Sequence, residues 1–210
     1  MKLTVTESVS LHGVMQGLGG PDEDSRGGFE RGGWALPLVD EQVGAFLDDV
    51  YARADAFLFG RRTYEIFAAS WGLMKDPSRS PIGQALNSRR KHVASSTLTE
   101  PRWADTTVIA GEVAAVSELK AEPGGELQVH GSGALVRWLL EHELVDEINL
   151  LTFPLIIGQG TRLFADTGPD VALDLVDTRT TPNRVTIQVF RPSGRPEYAT
   201  STAKASWRQS

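Results

Sequence analysis

The chain has 210 residues, a net charge of −6 and a pI near 5.3. Its 40% hydrophobic and 23% charged residues are ordinary for a globular protein with a sizeable core. The absence of cysteine excludes disulfides, thiolate catalysis and cysteine-ligated metal sites, and the lack of a basic stripe argues against nucleic-acid binding.

The N-terminal residues alternate between apolar and polar and lack the apolar core of a signal peptide. No uninterrupted apolar run approaches the length of a membrane span. We therefore expect a soluble, cytoplasmic protein with a small-molecule substrate and without a nucleic-acid or membrane partner.

The first strand is predicted over residues 2–9, and a glycine-rich loop follows over 12–37. A loop of that length inside a compact domain is usually functional or disordered. Because it contains Phe29 and Trp34, which a solvated linker would not favour, we interpret it as a binding-site loop.

Segments typical of helices and of strands alternate through the rest of the chain. Helices are predicted over 40–54, 61–71, 82–89, 114–121 and the second half of 127–140. Strands are predicted over 55–60, 91–95, 106–110, the first half of 127–140, 145–158, 171–180 and 184–192. This order predicts an α/β fold with a mixed, mostly parallel sheet that closes in an antiparallel hairpin.

Three of the predicted strands end in small, hydroxylated or basic residues. The three turns are Gly60-Arg61-Arg62-Thr63, Ser95-Ser96-Thr97 and Gly131-Ser132-Gly133, the last running into a helix through Ala134 and Leu135. Open α/β sheets bind ligands beyond the carboxyl ends of their parallel strands. If the three strands are parallel neighbours, the three turns line one edge of one cleft.

Each turn suits a phosphate group. The glycines of the third turn allow close backbone approach, and the helix start offers free N–H groups to a pyrophosphate. The paired arginines Arg61 and Arg62 offer planar forks of donors to a second, separate phosphate. Any one of these turns alone is more often an ordinary turn, but their combination fits NADPH better than NADH.

Five segments in order carry a resemblance to a known family: ESVSLHG, FGRRTYE, VASSTL, VHGSGALVRWLL and LVDEINLLTFPLIIGQGTRLF. Together they resemble the dihydrofolate reductase-like superfamily, and most of all the reductase domain of bacterial riboflavin biosynthesis and its stand-alone relatives. The resemblance covers residues 2–191. It implies one three-layer domain over 1–191, with an eight-stranded mixed sheet flanked by helices, and leaves a polar C-terminal extension over 192–210.

The resemblance also implies NADPH across the strand ends, hydride transfer to a conjugated C=N or carbonyl group, and a homodimer. The three turns fall on the cofactor contacts of the family. Many relatives have Ser-Leu-Asp-Gly where this chain has Ser10-Leu11-His12-Gly13, so His12 is predicted beside the nicotinamide or substrate. Trp34 and Phe164 are candidates to stack on a flat substrate, although core packing is the commoner role of aromatic residues. The four histidines lack ligand spacing, so no metal site is expected.

The proton donor is less defined. The segment WALPLVDEQ resembles the helix entrance that carries the acid of folate reductases, which makes Asp40 the nearest candidate. A plain helix N-cap is an equally good interpretation of Asp40, and Glu7 is the alternative acid if it points into the cleft. The prediction is an NADPH-dependent reductase of a small pyrimidine- or pterin-like heterocycle. The alternatives are a non-catalytic NADP(H)-binding protein of the same fold and a dihydrofolate reductase in the narrow sense.

Overall fold

The structure is a computed structural model and describes residues 1–109 and 111–199. The strands of the described chain are β1 (Lys2–Ser10), β2 (Ala54–Gly60), β3 (Arg90–Ala94), β4 (Thr106–Ile109), β5 (Glu126–Val129), β6 (Glu147–Phe153), β7 (Leu173–Thr180) and β8 (Thr186–Pro192). The α-helices are α1 (Glu41–Ala52), α2 (Arg61–Ser70), α3 (Pro81–Ser88), α4 (Val113–Ala121) and α5 (Gly133–Glu141).

All eight of these strands form one sheet in the order β4-β3-β2-β5-β1-β6-β8-β7. The pairs from β4 to β6 are parallel, and the last two pairs, β6 with β8 and β8 with β7, are antiparallel. The first strand lies near the centre, where Val5 has Val129 on one side and Ile148 on the other. The mixed, mostly parallel sheet with a closing hairpin is thus confirmed.

Helices cover both faces of the sheet, and β2 shows how the sequence specifies this. Its side chains alternate between the faces, as the pleat of a strand requires. Ala56 and Leu58 pack with α4 and α5, whereas Phe57 and Phe59 pack with α2 and α3. All four are fully buried, which explains why this strand is an almost continuous apolar run.

Strand β6 is shorter than its sequence suggests. The apolar run predicted a strand over 145–158, but the strand ends at Phe153. Pro154 has no N–H to donate to a ladder, and the N–H of Leu155 turns back onto the carbonyl of Phe153 at 2.7 Å. The chain then crosses to the glycine-rich loop, where Val14 and Arg162 form an isolated antiparallel bridge.

The predicted polar extension over 192–210 is described only in part. Ser193 and Gly194 exchange backbone hydrogen bonds with Ala172 and so extend the closing hairpin by one step. Residues 200–210 lie outside the described residues.

Candidate active site

The three predicted turns lie side by side. Strands β3, β2 and β5 are parallel neighbours, so their carboxyl ends meet at one edge of the sheet. The N–H of Gly60 donates to the carbonyl of Gly131 at 3.1 Å, which joins the first turn to the third. The guanidinium of Arg61 donates to Oγ1 of Thr97 at 2.6 Å, which joins the first turn to the second. The three strands are therefore parallel neighbours, as the prediction of a single cleft required.

The first and third turns approach each other too closely for larger residues. A Cβ on Gly60 would lie 2.4 Å from Oγ of Ser132, and a Cβ on Gly131 would lie 2.7 Å from Oγ1 of Thr63. Gly131 also has a φ of +100°, which side chains disfavour. Glycine at both positions is what allows the backbone of α5 to begin directly against α2.

Both helices that start at this edge have N-termini without side-chain caps. Gly60 is the N-cap of α2 and Ser132 the N-cap of α5, and neither makes a side-chain capping hydrogen bond. No acidic residue lies in either first turn. The N–H groups and the positive dipole ends of both helices are thus free of an internal anion, which is the arrangement that binds phosphate groups.

A cavity of about 430 Å³ opens beside these helix starts. Its wall combines the end of β1, the glycine-rich loop, α1, α2, the end of β5 and α5. The lining includes Thr6–Ser8, Met15–Gly19, Leu47, Tyr51, Arg62, Thr63, Ile66, Phe67, Trp71, His130, Ser132–Ala134 and Arg137.

The predicted cofactor residues divide into those in the cavity wall and those beside it. Arg62, Thr63, Ser132, Gly133 and Ala134 line the cavity. Gly60, Arg61, Ser95, Ser96, Thr97 and Gly131 lie in the same three turns without lining it. Leu135, also predicted at the cofactor site, does not line the cavity, and its side chain is only 7% exposed and packs in the core.

The second turn is organised by its own hydroxyls. Oγ of Ser95 accepts hydrogen bonds from the N–H groups of Thr97 and Leu98, at 3.1 and 3.0 Å. Thr97 in turn accepts from Arg61, while Ser96 is exposed. The turn therefore holds the Arg61 guanidinium at the sheet edge, outside the cavity.

The glycine-rich loop forms the outer wall, and Gln16 holds it in place. The amide nitrogen of Gln16 donates to the carbonyls of Asp24 and Arg26, at 3.1 and 3.0 Å. Its amide oxygen accepts from the N–H and the hydroxyl of Thr161. Asp24 and Arg26 form an ion pair at the cavity wall, and Arg26 lowers the pKa of Asp24 against the opposing effect of burial. The loop does contribute to the site, but through residues that the sequence did not single out.

The three predicted substrate residues are placed elsewhere. His12 has its Nδ1 3.1 Å from Oγ of Ser10 and does not line the cavity. Trp34 donates to the carbonyl of Gln16 and sits edge-on to Phe153 in the core. Phe164 is 47% exposed and lines a different cavity, of about 550 Å³. None of the three lines the cavity beside the helix starts, because long-range packing, not position in the chain, decides which aromatic rings reach a site.

Asp40 is also absent from the cavity wall. It is the N-cap of α1: one carboxylate oxygen accepts from the N–H of Val43 at 3.0 Å, and the other from the N–H of Asn183 at 2.9 Å. Desolvation acts to raise the pKa of Asp40, but the hydrogen bonds outweigh it and leave the pKa below its ordinary value. An ionised, capping carboxylate outside the cavity is not placed to donate a proton, so the capping interpretation is the one observed.

Glu7, the alternative acid, does line the cavity. It is 6% exposed, and its Oε1 has no hydrogen-bond partner among the described residues. Burial raises the pKa of Glu7 to about 8, so the carboxyl is protonated at neutral pH. Glu7 is therefore a neutral acid at the inner end of a cavity.

Tyr51 and His130 complete this inner wall, and sequence reasoning missed both. Their rings stack with centroids 4.4 Å apart, and Nε2 of His130 lies 3.2 Å from the amide oxygen of Gln128. Burial raises the pKa of Tyr51 and lowers the pKa of His130 to about 3, so both are neutral. The signal for Tyr51 was present in the apolar face of α1, but nothing local shows that this face ends at a cavity.

No group of three or more metal-ligating side chains occurs within residues 1–109 and 111–199. Over the same residues, no helix is both long and apolar enough to cross a membrane.

Comparison with known proteins places the chain in a family. Residues 1–187 match the RibD C-terminal domain. The chain belongs to this family. The family match covers strands β1 to β7 and only the first two residues of β8, and it confirms the resemblance seen in the sequence.

The relatives extend over nearly the whole chain. Uncharacterized protein YyaP of Bacillus subtilis is 25% identical over 188 residues, which are 89% of this chain and 93% of that protein. A putative riboflavin biosynthesis protein from Shewanella sp. PV-4 has a similar structure, with a TM-score of 0.71 at 20% identity over 92% of this chain and 99% of that one. A pyrimidine reductase-like protein from Corynebacterium diphtheriae has a TM-score of 0.60 at 16% identity, covering 91% and 92%. The two structures share the fold of this chain.

Proposed function

We propose that this protein is an NADPH-dependent reductase that transfers a hydride to a small heterocycle of the pyrimidine or pterin type. Membership of the RibD C-terminal domain family and the likeness to a pyrimidine reductase-like protein support a reductase-type role. The observation that carries the proposal is the meeting of three phosphate-suited turns at the carboxyl ends of β3, β2 and β5, beside one cavity.

The residues present fit the cofactor. The close-packed turn at Gly131 and the uncapped N-terminus of α5 suit a pyrophosphate, because the N–H groups of Gly133 and Ala134 begin a helix without an internal anion. When bound, NADPH supplies the hydride, and the chain supplies binding, orientation and the surroundings of the reacting groups.

The two arginines have different parts in this proposal. Arg61 is held by Thr97 and by Glu65 outside the cavity, where it suits the 2′-phosphate that distinguishes NADPH from NADH. Arg62 faces the cavity, where it contributes to lowering the pKa of Asp24. Arg62 therefore acts on the part of the ligand that both nucleotides share.

The cavity suits a flat, neutral heterocycle. Its volume of about 430 Å³ is within the usual range for small-molecule sites. Leu47, Ile66 and Phe67 give it apolar walls, and the buried groups at its inner end are neutral at pH 7. In such a site, apolar side chains pack against the faces of a ring system, and a few polar groups orient the ring by hydrogen bonds to the atoms at its edge.

Trp71 lines the cavity, so quenching of tryptophan fluorescence reports binding directly. We expect NADPH to quench the fluorescence at lower concentration than NADH. Oxidation of bound NADPH is then followed with pterins, folates, aminopyrimidines and quinones as acceptors. Binding of neither nucleotide would remove the proposal. Binding without oxidation across the whole panel would favour the non-catalytic alternative.

A further inference from the structure

Glu7 differs from the other buried glutamates of the described chain. Glu126 is paired with Arg53, and Glu147 with both Lys2 and Arg191, so each has a cation to offset its charge. Glu7 makes no ion pair among the described residues, and its Oε1 lacks any hydrogen-bond partner there. A buried carboxyl without a partner is costly to keep, which points to a role at the cavity that it lines.

The position of Glu7 connects it to the turn beneath the proposed pyrophosphate site. It lies on the central strand β1, and its Oε1 is 3.5 Å from where a Cβ on Gly131 would stand. Its carboxyl thus lies directly behind the third turn and at the wall of the cavity.

The charged groups around this cavity belong to its outer part. The titratable and charged side chains that face it come from several elements: Tyr51 from α1, Arg62 from α2, His130 directly after β5, Arg137 from α5, and Glu23, Asp24 and Arg26 from the loop. Asp24 and Arg26 neutralise each other, and Arg137 donates to the carbonyl of Leu163 at 2.7 Å. The inner wall, formed by Glu7, Tyr51 and His130, carries no charge while Glu7 keeps its proton.

On the basis of the proposed function, we propose that Glu7 is the catalytic acid. Its carboxyl O–H protonates the substrate nitrogen or oxygen while the hydride reaches the adjacent carbon. The carboxylate that remains offsets the positive charge of the oxidised nicotinamide ring in the same cavity.

The step balances in atoms and in charge. The double bond of the substrate, C=N or C=O, takes two electrons with the hydride and one proton from Glu7, so that a C–H and an N–H or O–H bond form and the Glu7 O–H bond breaks. A neutral acid and a neutral dihydronicotinamide become a carboxylate and a cationic ring. The net charge inside the cavity is unchanged, which matters where the dielectric constant is low. Water returns the proton to Glu7 after the products leave.

The test measures protons released on nucleotide binding, and it needs no substrate. NADP⁺ and NADPH are each titrated into the protein at pH 7 in weak buffer, and the change in pH is recorded. Because the cationic ring favours ionised Glu7, we expect on the order of one more proton released per bound NADP⁺ than per bound NADPH. The 2′-phosphate, whose pKa is roughly 6, responds equally to both nucleotides and cancels in the difference.

Two variants identify the source of the proton. Glu7→Gln should bind both nucleotides and lose the excess release with NADP⁺. Glu23→Gln, which alters another cavity carboxyl whose pKa is raised by burial, should keep the excess. Tryptophan fluorescence on the same samples shows that each variant is folded and binds.

The outcomes separate the two proposals. Binding of neither nucleotide by wild type removes the proposed function and the role of Glu7 with it. Equal proton release with NADP⁺ and NADPH in wild type, or an undiminished excess in Glu7→Gln, overturns the role of Glu7 and leaves cofactor binding in place.

Discussion

At the scale of single residues, the site is defined by groups whose surroundings change their chemistry. Glu7, Tyr51 and His130 are ordinary ionisable residues in the sequence, yet burial keeps all three neutral at the inner wall of the cavity. Asp40 shows the opposite case, since hydrogen bonds to its carboxylate favour the ionised form. Which carboxyl is an acid and which is a cap follows from neighbours that lie far away in the chain.

The raised pKa of Glu7 has a consequence for stability. In the unfolded chain Glu7 ionises near pH 4.5, whereas in the folded protein it ionises near pH 8. The contribution of Glu7 to the free energy of unfolding is fully present below pH 4.5 and is lost as the pH rises to about 8. The reason is that between these two pH values only the folded state keeps the proton on Glu7. Relative to Glu7→Gln, wild type should lose about 1.4 kcal/mol of unfolding free energy per pH unit across this window.

Denaturant unfolding of the two proteins at several pH values measures this trend. Glu147→Gln, at a buried glutamate that is ion-paired outside the cavity, is the matched control and should not reproduce the Glu7→Gln pattern. A constant difference between wild type and Glu7→Gln from pH 5 to 8 would mean that Glu7 is ionised in the folded protein.

The placement of Arg61 predicts nucleotide selectivity. Arg61→Ala removes a guanidinium that the second turn holds outside the cavity, so NADPH affinity should fall roughly 10-fold to 100-fold while NADH affinity changes little. The double variant Arg89→Ala with Arg90→Ala is the control, because that arginine pair lies at the amino end of β3. The three turns lie at the opposite, carboxyl ends of the strands. Fluorescence titrations with both nucleotides measure the effect, and equal losses for NADPH and NADH would contradict a 2′-phosphate contact.

At the scale of elements, the site depends on how closely α2 and α5 begin to one another. Strand periodicity and turn residues located both helices and both preceding strands in the sequence, because these signals are local. The sequence did not predict the close approach of the two helices, since it brings Thr63 against Gly131 and Gly60 against Ser132, which are far apart in the chain.

Gly131→Ala tests this close approach. The added Cβ would lie 2.7 Å from Oγ1 of Thr63 at a φ of +100°, so we expect a loss of about 1–3 kcal/mol in unfolding free energy together with weaker NADPH binding. Gly158→Ala is the matched control, because Gly158 also has positive φ but has open space around its Cβ position. Thermal unfolding should show the larger loss of stability for Gly131→Ala. Fluorescence titration with NADPH should show weaker binding by Gly131→Ala and unchanged binding by Gly158→Ala.

At the scale of the whole molecule, one edge strand of the sheet is exposed. Strand β7 is exposed along its entire length, and Leu173, Leu175 and Val176 are between 39% and 52% exposed. An exposed edge strand with apolar side chains is a site for pairing with another chain. We propose that the homodimer expected from the family resemblance forms here, by antiparallel pairing of β7 with a second copy.

Molar mass in solution tests this proposal. Wild type should have about twice the 22.8 kDa mass of one chain, and Leu175→Lys with Val176→Lys should shift the mass to that of the monomer. Leu73→Lys, at an exposed leucine outside β7, should leave the dimer intact. A monomeric wild type would overturn the proposal, as would a dimer that survives both lysines.

The sequence by itself determined the order of the helices and strands and located the three turns of small, hydroxylated or basic residues, because apolar periodicity and turn composition are local properties of the chain. It also overextended β6, where Pro154 ends the ladder within an apolar run. Only the tertiary structure decided that β3, β2 and β5 are neighbours, that Glu7 and not Asp40 lines the cavity, and that Trp34 and Phe164 lie elsewhere. The physical reason is that burial, pairing and pKa depend on contacts between distant segments, which no local pattern contains.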